Sequence, residues 1–205
     1  MVLTELYDMP SIVLASSSTY RKALLDKLGI SFVCASPNID ESPLANETAD
    51  DLVKRLSLNK ARALASKYPN HLIIGSDQVA TLEQTILGKP HNHQNARKQL
   101  LASSGKKVVF KTGLCLLNSA TNHYQLAAEE FSVQFRSLSE ANIDFYLEAE
   151  RPFDCAGSFK AEGLGIALFT ELQGKDPNTL IGLPLIRLVD MLMQEGAHPL
   201  CPISG

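Results

Sequence analysis

Apolar residues along this chain form short continuous runs that alternate with longer stretches of helical spacing. Leu72-Ile73-Ile74 is a short apolar run that predicts a buried strand, and Ser11-Ile12-Val13-Leu14-Ala15 and Ile30 to Ala35 predict two further strands. A helical pattern follows the N-cap cluster Ser16-Ser17-Ser18-Thr19, sets Leu24, Leu25 and Leu28 on one face and stops at Gly29. A longer one spans about Ala49 to Lys67, with Leu52, Val53, Leu56, Ala63 and Leu64 in its stripe. Lys60 falls inside that stripe. A lysine there either snorkels past the core edge or points into a ligand cleft.

In the second half, Asn92 to Ser104 predicts a helix with Ala96, Leu100 and Leu101 inward and Gly105 as its stop. Val108 to Leu117 and Tyr124 to Phe135 predict two long antiparallel strands joined by a turn at Asn118 to Asn122. Ser139 caps a helix running through Tyr146 to Glu150. Then come a polar loop, Gly157 to Gly163, a short strand, Gly165 to Phe169, and a turn at Asp176-Pro177-Asn178. Pro184 starts a last helix with Leu185, Leu188, Val189 and Leu192 inward. The expected fold class is α/β, a mixed sheet with flanking helices, in a single domain over 1–205. Met1 to Met9 reads as an extension ahead of it.

Composition narrows the function more than the fold. Hydrophobic content of 45% and charged content of 20% are those of an ordinary globular protein. A net charge of -3 leaves no basic field for a nucleic-acid polymer, so a nucleotide ligand should be small. Cys34, Cys115, Cys155 and Cys201 are widely spaced, which predicts free thiols in a reducing compartment rather than structural zinc. No signal peptide or membrane span is visible, and the expectation is a soluble cytoplasmic protein with no membrane partner. His91 and His93 are expected to be solvated.

The stretch from Leu72 to Pro90 holds the candidate chemistry. Gly75-Ser76 is expected to end the strand and leave Asp77 at its exit, the edge where an α/β sheet presents ligand-binding groups. A hairpin over Val79 to Leu87 would fold Lys89, in Gly88-Lys89-Pro90, back toward Asp77. An acid and a lysine in one place suit a metal-bound polyphosphate. The same residues also fit a turn-capping aspartate and a surface lysine. Ser16, Ser18 and Arg21 at one helix start would suit a phosphate, through backbone N–H groups, hydroxyls and a planar guanidinium, or would simply cap that helix. The acidic turn Asp40-Glu41-Ser42-Pro43 is either solvated or a magnesium ligand.

Taken in order, several marks resemble the Maf family of nucleoside triphosphate pyrophosphatases, from about Ile12 to His198. They are Leu14-Ala15-Ser16-Ser17-Ser18-Thr19-Tyr20-Arg21, Asp40-Glu41, Asn59-Lys60-Ala61, Gly75-Ser76-Asp77-Gln78-Val79, Gly88-Lys89-Pro90, Gly157-Ser158-Phe159-Lys160 and Asn178-Thr179-Leu180-Ile181-Gly182-Leu183-Pro184. The resemblance implies a Maf/ITPase-like fold of two lobes around a deep central cleft. It further implies a divalent cation (Mg²⁺ or Mn²⁺), a homodimer, and hydrolysis of a nucleoside triphosphate to monophosphate and pyrophosphate. By position Asp77 matches the family's proton acceptor. Arg21, Glu41, Lys60 and Lys89 match its phosphate and metal machinery, with Asp77 and Glu41 toward the metal and Ser16, Ser18 and Lys160 toward the substrate.

Three positions separate branches of the family. The branch resembling dTTP and UTP pyrophosphatases carries arginine, threonine and glutamine where this chain has Tyr20, Gln78 and Glu162. The present set resembles the branch acting on 7-methyl-GTP. Methylation at N7 makes guanine cationic, which suits the face of Tyr20, and a Glu162 carboxylate can accept from the guanine N1–H and N2–H₂ edge. A pyrimidine-specific pyrophosphatase and a nucleotide-binding regulator of cell division without turnover are the rival readings.

Overall fold

The computed structural model describes residues 10–200; the extension expected at Met1 to Met9 and the thiol of Cys201 lie outside the described residues. The first half holds β1 (Ile12–Ala15), α1 (Thr19–Asp26), β2 (Phe32–Ala35), α2 (Ala49–Ala65), β3 (Leu72–Leu82) and β4 (Thr85–Leu87). The second holds α3 (His93–Ser103), β5 (Lys107–Asn118), β6 (Tyr124–Phe135), α4 (Glu140–Glu150), β7 (Phe169–Gly174), α5 (Asn178–Ile181) and α6 (Leu185–Gln194). The strands form one mixed sheet in the order β2-β1-β3-β5-β6-β7, with β4 paired to β3. β1 is parallel to β2 and β3, and the remaining pairs are antiparallel. This is the α/β class with flanking helices that the patterning predicts.

The central strand differs from expectation. Gly75 and Ser76 do not end it: β3 stays antiparallel to β5 from Leu72↔Asn118 to Leu82↔Val108. What ends is the parallel pairing with β1, whose last pair is Leu14↔Ile74. Asp77 therefore lies within a strand, just beyond the place where β1 turns away, and the crevice opens there. Gly75 is a point of close approach rather than a breaker. A Cβ on it would stand 2.0 Å from the Ser57 carbonyl oxygen of α2. Ser76 is fully buried because its hydroxyl donates to the carbonyls of Gly113, at 2.8 Å, and Gly182, at 3.0 Å.

Two apolar cores are the largest among the described residues. One packs Leu25, Ile74, Leu116, Leu188 and Leu192 of α1, β3, β5 and α6. The other gathers Phe110, Phe135, Tyr146, Phe159 and Phe169. Its rings meet edge to face, Phe159 on Phe169 at 4.7 Å and Phe135 on Phe169 at 5.0 Å, a geometry worth about 0.5–1.5 kcal/mol per pair beyond area burial.

Other expectations shift locally. The strand expected at Gly165 to Phe169 is a 3-10 turn, Leu164–Leu168, and pairing with β6 begins only at Phe169. Gly165 lies against the backbone of Lys160, so that segment is committed to its own loop before it can join the sheet. The strand that does form, β7, is polar at Thr170, Glu171 and Gln173 and carries little apolar signal. Asp176-Pro177-Asn178 leads into the short helix α5 instead of a plain turn. The buried Asp176 carboxylate accepts from the Asn178 and Ile186 N–H groups at 2.8 and 2.9 Å, capping α5 and α6, whose own N-cap positions are prolines. In α2 the buried alanine is Ala61, not Ala63, and Leu101 of α3 is exposed.

Candidate functional site

A cavity of about 950 Å³ is lined by the start of α1, by α2, β3 and the loops after β2, β4 and α4. Asp77 is placed by α2 from two directions. Ser57 Oγ accepts the Asp77 N–H at 3.0 Å, and Lys60 Nζ, one turn further along α2, donates to Asp77 Oδ1 at 2.6 Å. Lys60 also pairs with Glu41 Oε1 at 3.0 Å, although Glu41 comes from a loop ahead of α2. Its side chain is 7% exposed, so this lysine points into the cleft and does not snorkel.

α2 reaches this close because two glycines let it. Besides Gly75, a Cβ on Gly113 of β5 would stand 2.2 Å from the Val53 carbonyl oxygen. Glu41 in turn is held through its loop. Arg55 grips Glu47 at 2.5 and 2.7 Å and donates to the Ser42 carbonyl at 3.0 Å. That ion pair holds the Glu47 carboxyl down to about 2.

The start of α1 forms the facing wall. Ser16 Oγ accepts the Ser18 N–H at 3.1 Å, and Ser18 Oγ accepts the Arg21 N–H at 3.3 Å as the N-cap. Both serines line the cavity, as do Tyr20 and Arg21. Arg21 Nε donates to the Gly182 carbonyl at 2.8 Å, which fixes the guanidinium against the end of α5. Burial lowers its pKa, while Asp77 and Glu41 pull it back up. Lys89 lines the same cavity, is exposed, and has no hydrogen bond or ion pair among the described residues. Asp77, Glu41, Lys60, Arg21, Lys89, Ser16 and Ser18 are thus brought together.

Tyr20, Gln78 and Glu162 all line the cavity. The Gln78 side-chain amide donates to Thr112 Oγ1 at 2.9 Å and to the Thr179 carbonyl at 2.7 Å, tying β3 to α5. Burial, and then the nearby Cys155, Glu162, Asp154 and Glu150, raise the Tyr20 phenol above its ordinary pKa. Asp154, Cys155 and Glu162 line the cavity together with Tyr20. Lys160 is not part of the lining. Its Nζ donates to the Glu150 carbonyl at 2.8 Å, so it ties its own loop to α4.

Several contributors were not singled out from the sequence. Ser57 shares the stripe of Lys60 at i, i+3 spacing and could have been found that way. Gly113 and Thr112 act across the fold and leave no local signal; Gly182 stands in one of the family marks, but the bonds its carbonyl accepts from Arg21 and Ser76 cannot be read from it. His91, expected to be solvated, is exposed but lines the cavity, and its N–H donates to the Phe153 carbonyl at 2.8 Å. Asp154 and Cys155 line it too, and burial pushes the Cys155 thiol up to about 11. Among the described residues no three His, Cys, Asp or Glu form a metal cluster, and no helix is long and apolar enough to cross a membrane.

A family model described as Maf-like protein matches residues 11–195. The chain belongs to the Maf family. Curated Maf relatives align over nearly the whole length. A protein of Pseudomonas savastanoi pv. phaseolicola named 7-methyl-GTP pyrophosphatase is 61% identical over 188 residues, covering 92% of this chain and 98% of the relative. One of Pseudomonas aeruginosa with the same name is 60% identical over 190 residues, covering 93% and 99%. A third, from Pseudomonas fluorescens and named alike, is 59% identical over 190 residues, covering 93% and 99%.

Proposed function

We propose that this Maf protein hydrolyses 7-methyl-GTP to 7-methyl-GMP and pyrophosphate. The observation that carries the reading is the convergence of Lys60 on Asp77 and Glu41 inside a cleft that also holds Arg21 and Lys89. The names of relatives about 60% identical support the substrate, as does the acidic surrounding of Tyr20.

The donor set fits a divalent cation. Lys60 takes one oxygen of each carboxylate, Asp77 Oδ1 and Glu41 Oε1, and leaves the other of each without a hydrogen bond among the described residues. Two carboxylates, with phosphate oxygens and water completing the shell, suit Mg²⁺ or Mn²⁺. Bound there, the ion would polarise the phosphoryl oxygens as a Lewis acid.

The chain's own residues do the rest. Asp77, fixed at its backbone by Ser57 and at its carboxylate by Lys60, orients a water and takes its proton. The water oxygen bonds to the α-phosphorus, and the bond to the bridging oxygen breaks with its electron pair leaving on pyrophosphate. Arg21 and Lys89, which both line the cavity, neutralise the triphosphate and the departing charge. Tyr20 lies against the cationic base and Glu162 accepts from its N1–H and N2–H₂ edge. The proposal includes a cytoplasmic setting and a homodimer, the latter on the family resemblance alone; sedimentation velocity tests it, and a monomer removes that part.

The decisive experiment measures pyrophosphate release from 7-methyl-GTP, GTP, dTTP and UTP with Mg²⁺, for the wild type and Asp77→Asn. The expected result is preference for 7-methyl-GTP and no turnover by a folded Asp77→Asn protein. A pyrimidine preference would leave the dTTP/UTP reading. Binding without any release would leave the regulator.

A further inference from the structure

The loop that carries Glu162 hangs from the last turn of α4. Glu150, the final residue of that helix, grips it at two points. Its Oε1 accepts the Leu164 N–H at 2.6 Å, and its backbone carbonyl accepts Lys160 Nζ at 2.8 Å. One turn earlier the buried Tyr146 hydroxyl accepts the Lys160 N–H at 3.0 Å. Between these points the chain is drawn down so far that a Cβ on Gly163 would stand 2.5 Å from Glu150 Oε1. The 3-10 turn Leu164–Leu168 has no side-chain cap of its own, and the Glu150 carboxylate supplies the acceptor for its first N–H.

Glu150 is not part of the cavity lining, whereas Ala161 and Glu162 are. Glu162 is exposed and makes no hydrogen bond or ion pair among the described residues, so its place is set by the backbone that carries it. We propose that Glu150 is a positioning residue for base recognition: it holds the loop from Lys160 to Leu164 so that the Glu162 carboxylate meets the donor edge of a cationic purine. This rests on the base-reading role given to Glu162 above. Direct attraction between Glu150 and the base is the lesser effect, because the Glu150 carboxylate is engaged by the Leu164 N–H and lies outside the cavity lining. The Lys160 ammonium, tied to the Glu150 carbonyl, belongs to the same clamp.

The test compares kcat and KM on 7-methyl-GTP and GTP for Glu150→Gln, Glu150→Ala, Glu162→Gln and the double variant Glu150→Ala/Glu162→Gln. Glu150→Gln keeps an acceptor for the Leu164 N–H and should keep the preference. Glu150→Ala should raise KM for 7-methyl-GTP about 5- to 20-fold, with kcat nearly unchanged and GTP less affected. The double variant should match Glu162→Gln alone, since a residue acting through Glu162 has nothing left to act on. Should Glu150→Ala fail to fold, Gly163→Ala serves instead: its Cβ forces the Glu150 carboxylate off Leu164 without altering α4. Loss of preference in Glu162→Gln but not in Glu150→Ala or Gly163→Ala overturns the proposal alone. An unchanged preference in Glu162→Gln overturns the reading of Glu162 and the proposal with it.

Discussion

Lys60 Nζ lies 2.6 Å from Asp77 Oδ1, and the two side chains are only 7% and 10% exposed. The pair joins the middle of α2 to the middle of β3, with Glu41 as a third, more exposed member. An ion pair so enclosed is a poor source of net stability, because desolvation offsets most of the attraction. Its retention is better explained by chemistry, which needs a carboxylate held still beside a cation.

Lys60→Met should therefore abolish pyrophosphate release and also destabilise the protein, by about 3 kcal/mol, because it leaves the Asp77 charge buried without its partner. Lys60→Met/Asp77→Asn should recover much of that stability and none of the activity. Urea midpoints and a pyrophosphate assay on both proteins check this. An active Lys60→Met enzyme would remove Lys60 from the machinery.

Gly113→Ala should be as damaging as a change in the site itself, although Gly113 touches no substrate. Its Cβ would meet the Val53 carbonyl oxygen at 2.2 Å and Ser57 Oγ at 2.5 Å. Backbone cannot yield as a side-chain tip does, so α2 must lift off the sheet and carry Ser57 and Lys60 away from Asp77. Overpacking of this kind costs about 1–3 kcal/mol or more. A Gly113→Ala protein with normal stability and normal kcat would show that the close approach is not needed.

How much of this was legible depended on whether a feature had a local cause. The strand–helix–strand opening, the serine caps of α1 and the two long hairpin strands follow from apolar period and capping residues, and they form where expected. Asp77, Lys89 and Arg21 stood out through turn and cap chemistry, Lys60 through its place in an apolar stripe and Glu41 through its acidic turn; the resemblance chose between the two readings that each of them allowed. What was hidden depends on distant partners. Gly75 reads as a strand stop until α2 is seen pressed against it, and the polar β7 pairs only because β6 offers an edge. Lys160 carries the family's motif yet turns to Glu150, a contact that no spacing could announce.

Acid should loosen the Glu41 loop before the cores melt. The bond from Arg55, aided by the Leu44 N–H, holds Glu47 down at about 2, against an ordinary 4.5, despite the upward push of burial. The folded value lies below the unfolded one, so the contribution to stability is fully present above about 4.5 and is lost as pH falls toward about 2. Glu47→Gln should be less stable than wild type at neutral pH and lose less stability across that window. Urea midpoints measured from pH 7 down to pH 2 test this, and parallel declines for the two proteins would refute it.

The base end of the cleft offers the most discriminating prediction. Tyr20 sits among Cys155, Glu162 and Asp154, and neither carboxylate is tied up by a hydrogen bond or ion pair among the described residues. A fixed positive charge on the base should therefore bind better than the neutral purine, in proportion to the acids present. Glu162→Gln keeps the size but removes one charge, and should narrow the preference for 7-methyl-GTP over GTP by roughly tenfold. Asp154→Asn should narrow it by less, about 2- to 5-fold, because Asp154 is exposed and screened, and its share should shrink further in high salt. Tyr20→Phe keeps the aromatic face and should preserve the preference, whereas Tyr20→Ala should cost binding of both purines and of the methylated one more. Values of kcat/KM for the two nucleotides, at low and high ionic strength, separate the contributions. If Tyr20→Phe loses the preference as fully as Tyr20→Ala, the phenol hydroxyl and not the ring face reads the base. If Glu162→Gln and Asp154→Asn both leave it intact, the acidic wall is not what selects the methylated nucleotide.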